Sequence, residues 1–241
     1  MVRSLAETYA AGHALRYHSH AWHQLVFASA GVLAVDVPPA TWIVPPVRAV
    51  WVPAGMTHRL VARTRASLRT IYVDPAFAGA RDRLAVFSVP RLLRELILHI
   101  VEVGMLDEEV PAHERLARVL LDQLDAIPDE SPSLRTVQPV EPLARAAADL
   151  LAAEPGRSLD DVARTVGTSR RSLERSFAEH AGTTLGRWRQ QVRLARALEL
   201  LAAGGSVTET GADVGYATTS AFIDAFRREF GATPARYLAE N

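Results

Sequence analysis

One pattern occurs twice between residues 158 and 231, and it restricts what the chain can fold into more than any other feature. The first copy is SLDDVARTVGTSRRSLERSF, Ser158 to Phe177. It sets Leu159, Val162 and Ala163 at helical spacing, with Asp160 and Asp161 in the opening turn, where a helix N-terminus favours acid. Gly167 stands four residues after Ala163 and takes the backbone through a turn that other residues resist. A second helix then starts from Thr168 or Ser169 as N-cap. It buries Leu173 and Phe177 and shows Arg170, Arg171, Glu174 and Arg175 outward. The second copy is SVTETGADVGYATTSAFIDAFRREFG, from Ser206. Gly211 and Gly215 repeat the spacing of Ala163 and Gly167, and Phe222 and Phe226 that of Leu173 and Phe177. This is a helix-turn-helix pattern, the arrangement that places a second helix in a DNA major groove.

Between the copies, TLGRWRQQVRLARALELLAAG predicts one long helix. Leu185, Trp188, Val192, Ala195, Leu198 and Leu201 form one face, Arg187, Arg189, Arg193 and Arg196 the other, and Gly204 and Gly205 stop it. An apolar-rich helix from Leu143 to Leu151 precedes the first copy. Formal net charge is zero, so DNA affinity must come from local arginine clusters. All 27 basic residues are arginine, and there is no cysteine, which removes disulfides and thiolate metal sites. Neither a signal peptide nor a membrane-length apolar run is found, so a cytoplasmic location is expected.

The front of the chain reads differently. Gln24 to Phe27, Val32 to Val37, Trp42 to Val44, Ala49 to Val52 and Leu68 to Val73 are Val-, Ile- and aromatic-rich runs parted by Gly, Pro and Ala turns. They predict a small β-barrel or double sheet. In HSHAWHQLVFASAG, even positions share a face, so His18, His20 and Gln24 point one way and His23 the other. PAGMTH adds His58 from a neighbouring strand. Two histidines on one strand and a third beside them can converge on zinc, nickel or a similar divalent transition metal. The isolated His13, His99, His113 and His180, like His23, read as packed or surface groups. Trp22, Trp42 and Trp51 are candidates to line a ligand pocket.

From residue 80 to 127 the period turns helical. Leu92, Leu93, Leu96, Ile97, Ile100 and Val101 form one stripe, and Leu116, Val119, Leu120, Leu121 and Leu124 another. These helices are expected to pack on the barrel or to pair two subunits. PDESPSLRTVQPVEP, residues 128–142, reads as a linker with four prolines. The expected division is a sensor barrel at 1–79, a helical segment at 80–127, that linker, and a helical domain at 143–241, an α+β chain overall.

His18, His20, Gln24 and Gly31, followed by Pro53, Gly55 and His58, resemble the two cupin motifs. Gln24 stands where glutamate is usual, and Val47 where the second motif opens with glycine. Residues 140–239 resemble the AraC family of bacterial transcription regulators. The matching residues are Phe222, Phe226, Arg227, Arg228, Phe230, Gly231, Pro234 and Tyr237, with Arg193-Leu194, Gly167, Ser169, Leu173, Arg175 and Phe177. Thr210 and Gly211 replace a usual Ile-Ala pair, and Leu238 a common arginine. The resemblance implies a regulator whose two helix-turn-helix units enter successive major-groove segments of promoter DNA. The DNA-contacting set is then Ser169, Arg170, Arg171, Ser172, Glu174 and Arg175 in the first unit, and Thr218, Thr219, Ser220, Ile223, Asp224 and Arg227 in the second. It implies further a cupin-like front half that senses a metal ion or small molecule, a homodimer, a regulator able to engage RNA polymerase as activator or repressor, and a nearby transporter or enzyme gene as target. The competing readings are a cupin metalloenzyme fused to a DNA reader and a regulator whose front half is purely structural; no catalysis is expected.

Overall fold

The computed structural model describes residues 1–77, 82–127 and 134–239. The expected boundary at 79/80 and the first part of the linker, 128–133, lie outside the described residues. Two compact units emerge: Met1–Val37 with Ile43 to the end of the second helix, and Pro38–Trp42 with the residues from Leu134 onward.

The strands before the first helix are antiparallel, and all belong to the first unit except Ala40–Trp42 of the fourth strand. They are β1 (Val2–Tyr9), β2 (His23–Ala30), β3 (Leu33–Val37), β4 (Ala40–Val44), β5 (Arg48–Val52), β6 (Arg59–Ala62), β7 (Ala66–Val73) and β8 (Ala85–Ser88). After helix α1 (Arg91–Val103) come β9 (Met105–Leu106) and helix α2 (Pro111–Asp125). The larger sheet runs β8-β5-β2-β7-β1-β9, and β3 pairs with β6 in the smaller one. Gln24 pairs with Val52 on one side and Tyr72 on the other, and Leu25 with Trp51 and Ile71. Side chains alternate across a strand, so Gln24, Val52 and Tyr72 share one face and Leu25, Trp51 and Ile71 the other. The second face carries the main core with Leu93, Leu96, Ile97 and Ile100 of α1 and Ala117, Leu120 and Leu124 of α2. Both helices therefore pack on the sheet. Leu92 and Val119, expected in the apolar stripes, are instead 59% and 42% exposed. The segment expected to be helical also supplies β8 and β9, which extend the sheet at its two edges. Gly31 sits at φ +73°, and a Cβ there would collide with the Arg65 carbonyl, so the hairpin after β2 admits only glycine.

In the second unit, β10 (Arg135–Val137) pairs antiparallel with Ala40–Trp42. The expected linker is thus a strand over these residues, held further by a 2.8 Å hydrogen bond from the Trp188 indole to the Val137 carbonyl. Three residues are too few for a period to show in sequence. Helices follow: α3 (Pro142–Ala153), α4 (Leu159–Thr165), α5 (Arg170–Ala181), α6 (Leu185–Ala202), α7 (Val207–Asp213), α8 (Thr219–Phe230) and α9 (Pro234–Ala239). From α4 to α8 each starts on a serine or threonine whose hydroxyl accepts a backbone N–H: Ser158, Ser169, Thr184, Ser206 and Thr218. The first helix pair closes over Leu159, Val162, Leu173, Phe177 and Trp188. The second closes over rings, with Phe226 centred 5.8 Å from Phe222, 4.4 Å from Phe230 and 5.5 Å from Tyr237. Gly211, the departure from the family pattern, leaves only 3.1 Å between a built Cβ and Phe222, so the ring occupies the room a side chain would take.

Glu141 caps α3, accepting from Leu143 N at 3.0 Å and Ala144 N at 2.8 Å, and it accepts Ser176 Oγ of α5 at 2.8 Å. The Ala144 and Leu143 amides, then Ser176, hold its carboxyl below the ordinary value of 4.5. A depressed carboxylate contributes stability above its unfolded pKa and loses it as pH falls through the folded one. The melting-temperature gap between wild type and Glu141→Gln is accordingly expected to be widest above pH 4.5 and to close as pH falls further. A gap that widens on acidification would contradict this.

Candidate DNA interface and histidine site

The histidine site forms where two extended segments meet. His18 and His58 make an isolated antiparallel bridge, each N–H bonded to the other's carbonyl at 2.9 Å. Gly55 N donates to the His20 carbonyl at 2.8 Å, which fixes the loop before β2 against the turn that carries His58. The ligand-capable atoms of His18, His20 and His58 lie within 4.8 Å of one another. Each ring sets Nδ1 against a backbone carbonyl: Arg16 for His18, Trp22 for His20 and Met56 for His58. A proton on Nδ1 satisfies that contact and leaves Nε2 as a lone pair, the tautomer a metal ligand needs.

Gln24 completes the arrangement. Its Oε1 lies 3.1 Å from His20 Nε2 and 2.9 Å from His58 Nε2. Its Nε2 donates to Thr70 Oγ1 at 3.0 Å and Tyr72 Oη at 3.1 Å. Thr70 spends its own proton on the Leu25 carbonyl, at 2.8 Å, so it can only accept from Gln24. The amide oxygen is thereby turned toward the imidazoles. In that tautomer acceptor faces acceptor, an arrangement that a cation or an added proton relieves. Burial pushes the His58 pKa down, against the Met56 hydrogen bond, and the neighbouring His18 and His20 charges push it the same way. Neutral imidazoles and an amide oxygen are a donor set that suits zinc, nickel and similar divalent ions. Thr70 and Tyr72 were not singled out in the sequence. The signal that finds them is register, since both lie on the strand beside β2, on the face that carries Gln24.

The tryptophans do not join this site. Trp51 is on the opposite face of the sheet, 2% exposed in the main core, with its ring stacked on His23 at 5.1 Å. Trp22 is half-buried under the Arg3 guanidinium, 4.8 Å away, and Trp42 carries Arg135 at 5.4 Å. His23 points away from the cluster as its strand parity requires, and its Nδ1 accepts from Ala54 N at 3.1 Å.

In the second unit, α5 and α8 present the expected DNA-contacting residues. Ser169 is the N-cap of α5, with its hydroxyl taken by the Ser172 amide and 3.0 Å from Ser172 Oγ. The arginines of α5 divide into two kinds. Arg170 is held by Glu174 at 2.9 Å and Asp160 at 3.4 Å. Arg171 and Arg175 are exposed, lie one helical turn apart and have no ion pair among the described residues. Of the three α5 arginines, Arg170 is the one that forms ion pairs among the described residues. In α8, Thr218 is the N-cap, Ser220, Asp224 and Arg227 are exposed, and Thr219 and Ile223 are half-buried. With the N-caps aligned, Ser220 and Asp224 take the places of Arg171 and Arg175.

The arginine face expected on α6 is not uniformly outward. Arg187 pairs with Glu229 at 3.0 Å and Arg196 with Glu199 at 2.8 Å. Arg193 donates to the Pro155 carbonyl at 2.9 Å and lies over the Tyr216 ring at 5.4 Å, so it ties the approach to the first helix pair to the turn of the second.

The family described as "AraC-like ligand binding domain" matches residues 3–164, and that described as "Helix-turn-helix domain" matches 162–240. The HTH-type transcriptional regulator NimR of Escherichia coli is 32% identical over 224 residues, 92% of this chain and 81% of that protein. The chain belongs to the AraC family. It is a DNA-binding transcription regulator with a ligand-binding amino-terminal domain. The regulator RipA of Corynebacterium glutamicum is 38% identical over 96 residues, 39% of this chain and 29% of that one. Among solved structures, ToxT from Vibrio cholerae covers 99% of this chain, with 97% of its own length matched, 11% identity and a TM-score of 0.42. None of the described helices is long and apolar enough to cross a membrane.

Proposed function

We propose that this AraC-family regulator senses a divalent transition-metal ion through His18, His20, His58 and Gln24, and that occupancy sets its hold on promoter DNA. One observation carries the reading: three imidazole nitrogens lie within 4.8 Å of one another, with the Gln24 amide oxygen beside those of His20 and His58. Bound there, the ion would tie the segment before β2 to the turn carrying His58 and to β2 itself. It serves as a signal, and no catalytic role is assigned to it. On DNA, Arg171 and Arg175 of α5 are the leading base readers, Arg170 and Glu174 brace one another, and α8 contributes less. The working assembly is a cytoplasmic homodimer, supported by the gain that two-fold repetition gives a reader of short sites. The regulated gene encodes a transporter or an enzyme, and RNA polymerase is the further partner.

Metal analysis of untagged protein tests the sensor. About one equivalent per chain is expected in wild type, and much less in His18→Ala and His58→Ala, because losing a ligand lowers affinity steeply. His18 is half-exposed, which keeps that variant informative should His58→Ala misfold. Wild type that takes up no zinc or nickel at neutral pH would overturn the metal reading and leave a polar pocket for an organic effector.

A further inference from the structure

The second unit contains an open cleft of about 300 Å³ lined by Arg189 and Arg193 of α6, Tyr216 of the second turn, and Ala221, Ala225 and Arg228 of α8. No carboxylate lines it. Arg189, Arg193 and Arg228 form no ion pair among the described residues, in contrast to Arg187 and Arg196 on the same long helix. Among the described residues Arg189 reaches only the Gly156 carbonyl, at 3.2 Å, and its buried Nε has no hydrogen-bond partner there. Burial, followed by the neighbouring Arg193 and Arg170 charges, pushes the Arg189 pKa down. Half-sheltered positive charges that repel one another cost free energy until an anion joins them.

The position of the cleft identifies the anion. Ala221, Ala225 and Arg228 each follow directly in sequence on Ser220, Asp224 and Arg227, so the cleft flanks the exposed face of α8. Its other side is formed by Leu159, the first residue of α4 in the first helix pair. The cleft therefore lies between the two helix pairs. Two helices entering successive major-groove segments straddle the backbone between them, which carries one negative charge per about 1.7 Å of duplex axis. The alanines leave room where the arginines converge.

We propose that this cleft seats a phosphodiester group of the duplex backbone between the two major-groove segments, held by Arg189, Arg193 and Arg228. The assignment rests on the reading of the two helix pairs as DNA readers. It adds a sequence-independent clamp to them, and it adds residues outside both exposed recognition faces.

The test uses full-length protein, a duplex recovered by selection from random sequence, and a scrambled duplex. Arg189→Gln and Arg228→Gln are compared with wild type across a salt series; Arg193 is left intact because it also holds the Pro155 carbonyl. Each variant is expected to lose affinity by the same factor on both duplexes. Each should also lower the salt slope by about 0.9, so that its loss between roughly 50 and 200 mM salt is about threefold smaller than that of wild type. Neutral methylphosphonate linkages placed one at a time between the half-sites should weaken wild type at one or two positions and leave Arg228→Gln unaffected there. Arg228 is exposed, so a folding defect does not obscure that variant. A loss confined to the selected duplex at unchanged slope would make these arginines base readers and overturn the proposal, as would unchanged affinity and slope. Inorganic phosphate or pyrophosphate that raises the melting temperature of wild type but not of Arg189→Gln, with DNA slopes equal, would assign the cleft to a free anion instead. Wild type that prefers no duplex at all fails one step earlier, at the DNA reading itself.

Discussion

Arg171→Ala and Arg175→Ala are each expected to weaken binding to the selected duplex by about 5- to 150-fold, the worth of a bidentate arginine–guanine pair at about 1–3 kcal/mol. Together the loss should reach the order of a thousandfold, less any coupling between side chains one turn apart. Both guanidinium groups are exposed and free of ion pairs among the described residues, so they meet a base without first breaking a bond. Arg170 must release Glu174 and Asp160 to do the same, and Arg170→Ala is expected to cost less than about fivefold, in the range of an exposed pair. Ser220→Ala and Asp224→Ala, at the equivalent places of α8, should cost less than either α5 arginine. Electrophoretic mobility or anisotropy titrations decide this at one fixed salt concentration, with melting temperatures unchanged across the set. If Arg170→Ala proved more damaging than Arg171→Ala and Arg175→Ala, the division of the α5 arginines would be wrong.

Gly215→Ala is expected to be the most destabilising single-methyl change in the second unit. Gly167 and Gly215 occupy matching turns, with φ of +77° and +86°. A Cβ on Gly167 meets nothing within 4 Å, so Gly167→Ala carries only the left-handed backbone penalty, about 1–2 kcal/mol. A Cβ on Gly215 collides with the Gly156 Cα, and Arg193 Nη2 stands 2.7 Å away. Backbone cannot yield as a side-chain tip can, so overpacking adds about 1–3 kcal/mol to the conformational penalty. At this contact the approach to the first helix pair touches the turn of the second. Gly215→Ala should therefore also loosen the coupling of the two readers and lower DNA affinity, which Gly167→Ala does less. Urea unfolding of both variants checks the ranking. Equal midpoints would show that the glycine contact is not close.

The sequence announces features carried by local rules and hides those carried by neighbours. The two helix pairs were readable because Leu173, Phe177, Phe222 and Phe226 keep a helical period and Ser169 and Thr218 are good caps. The histidine motif was readable from its spacing; strand parity separates Gln24 from His23 on β2, while His18 and His20 lie in the segment before that strand. Parity also decides Trp51, but only once its pairing with Leu25 is known, and pairing is a long-range fact. β1 escaped notice because most of its residues are exposed and give no apolar alternation, although all of them pair with β7. Thr70 and Tyr72 lie more than forty residues beyond Gln24 in the chain, and nothing local ties them to it. The arginines of α6 look equivalent in sequence. Only packing shows that Arg187 and Arg196 have buried acids to pair with, while Arg189 and Arg193 face a cleft that holds none.

Operator affinity of the full-length protein, measured with zinc or nickel supplied and then withdrawn by a chelator, bears most directly on the link between the two halves. Wild type should change affinity by at least about tenfold between the two states, a coupling of about 1.4 kcal/mol, and His18→Ala and His58→Ala should not respond. Equal affinity in both states of a wild-type protein that demonstrably binds the metal would contradict the claim that the histidine site governs DNA binding.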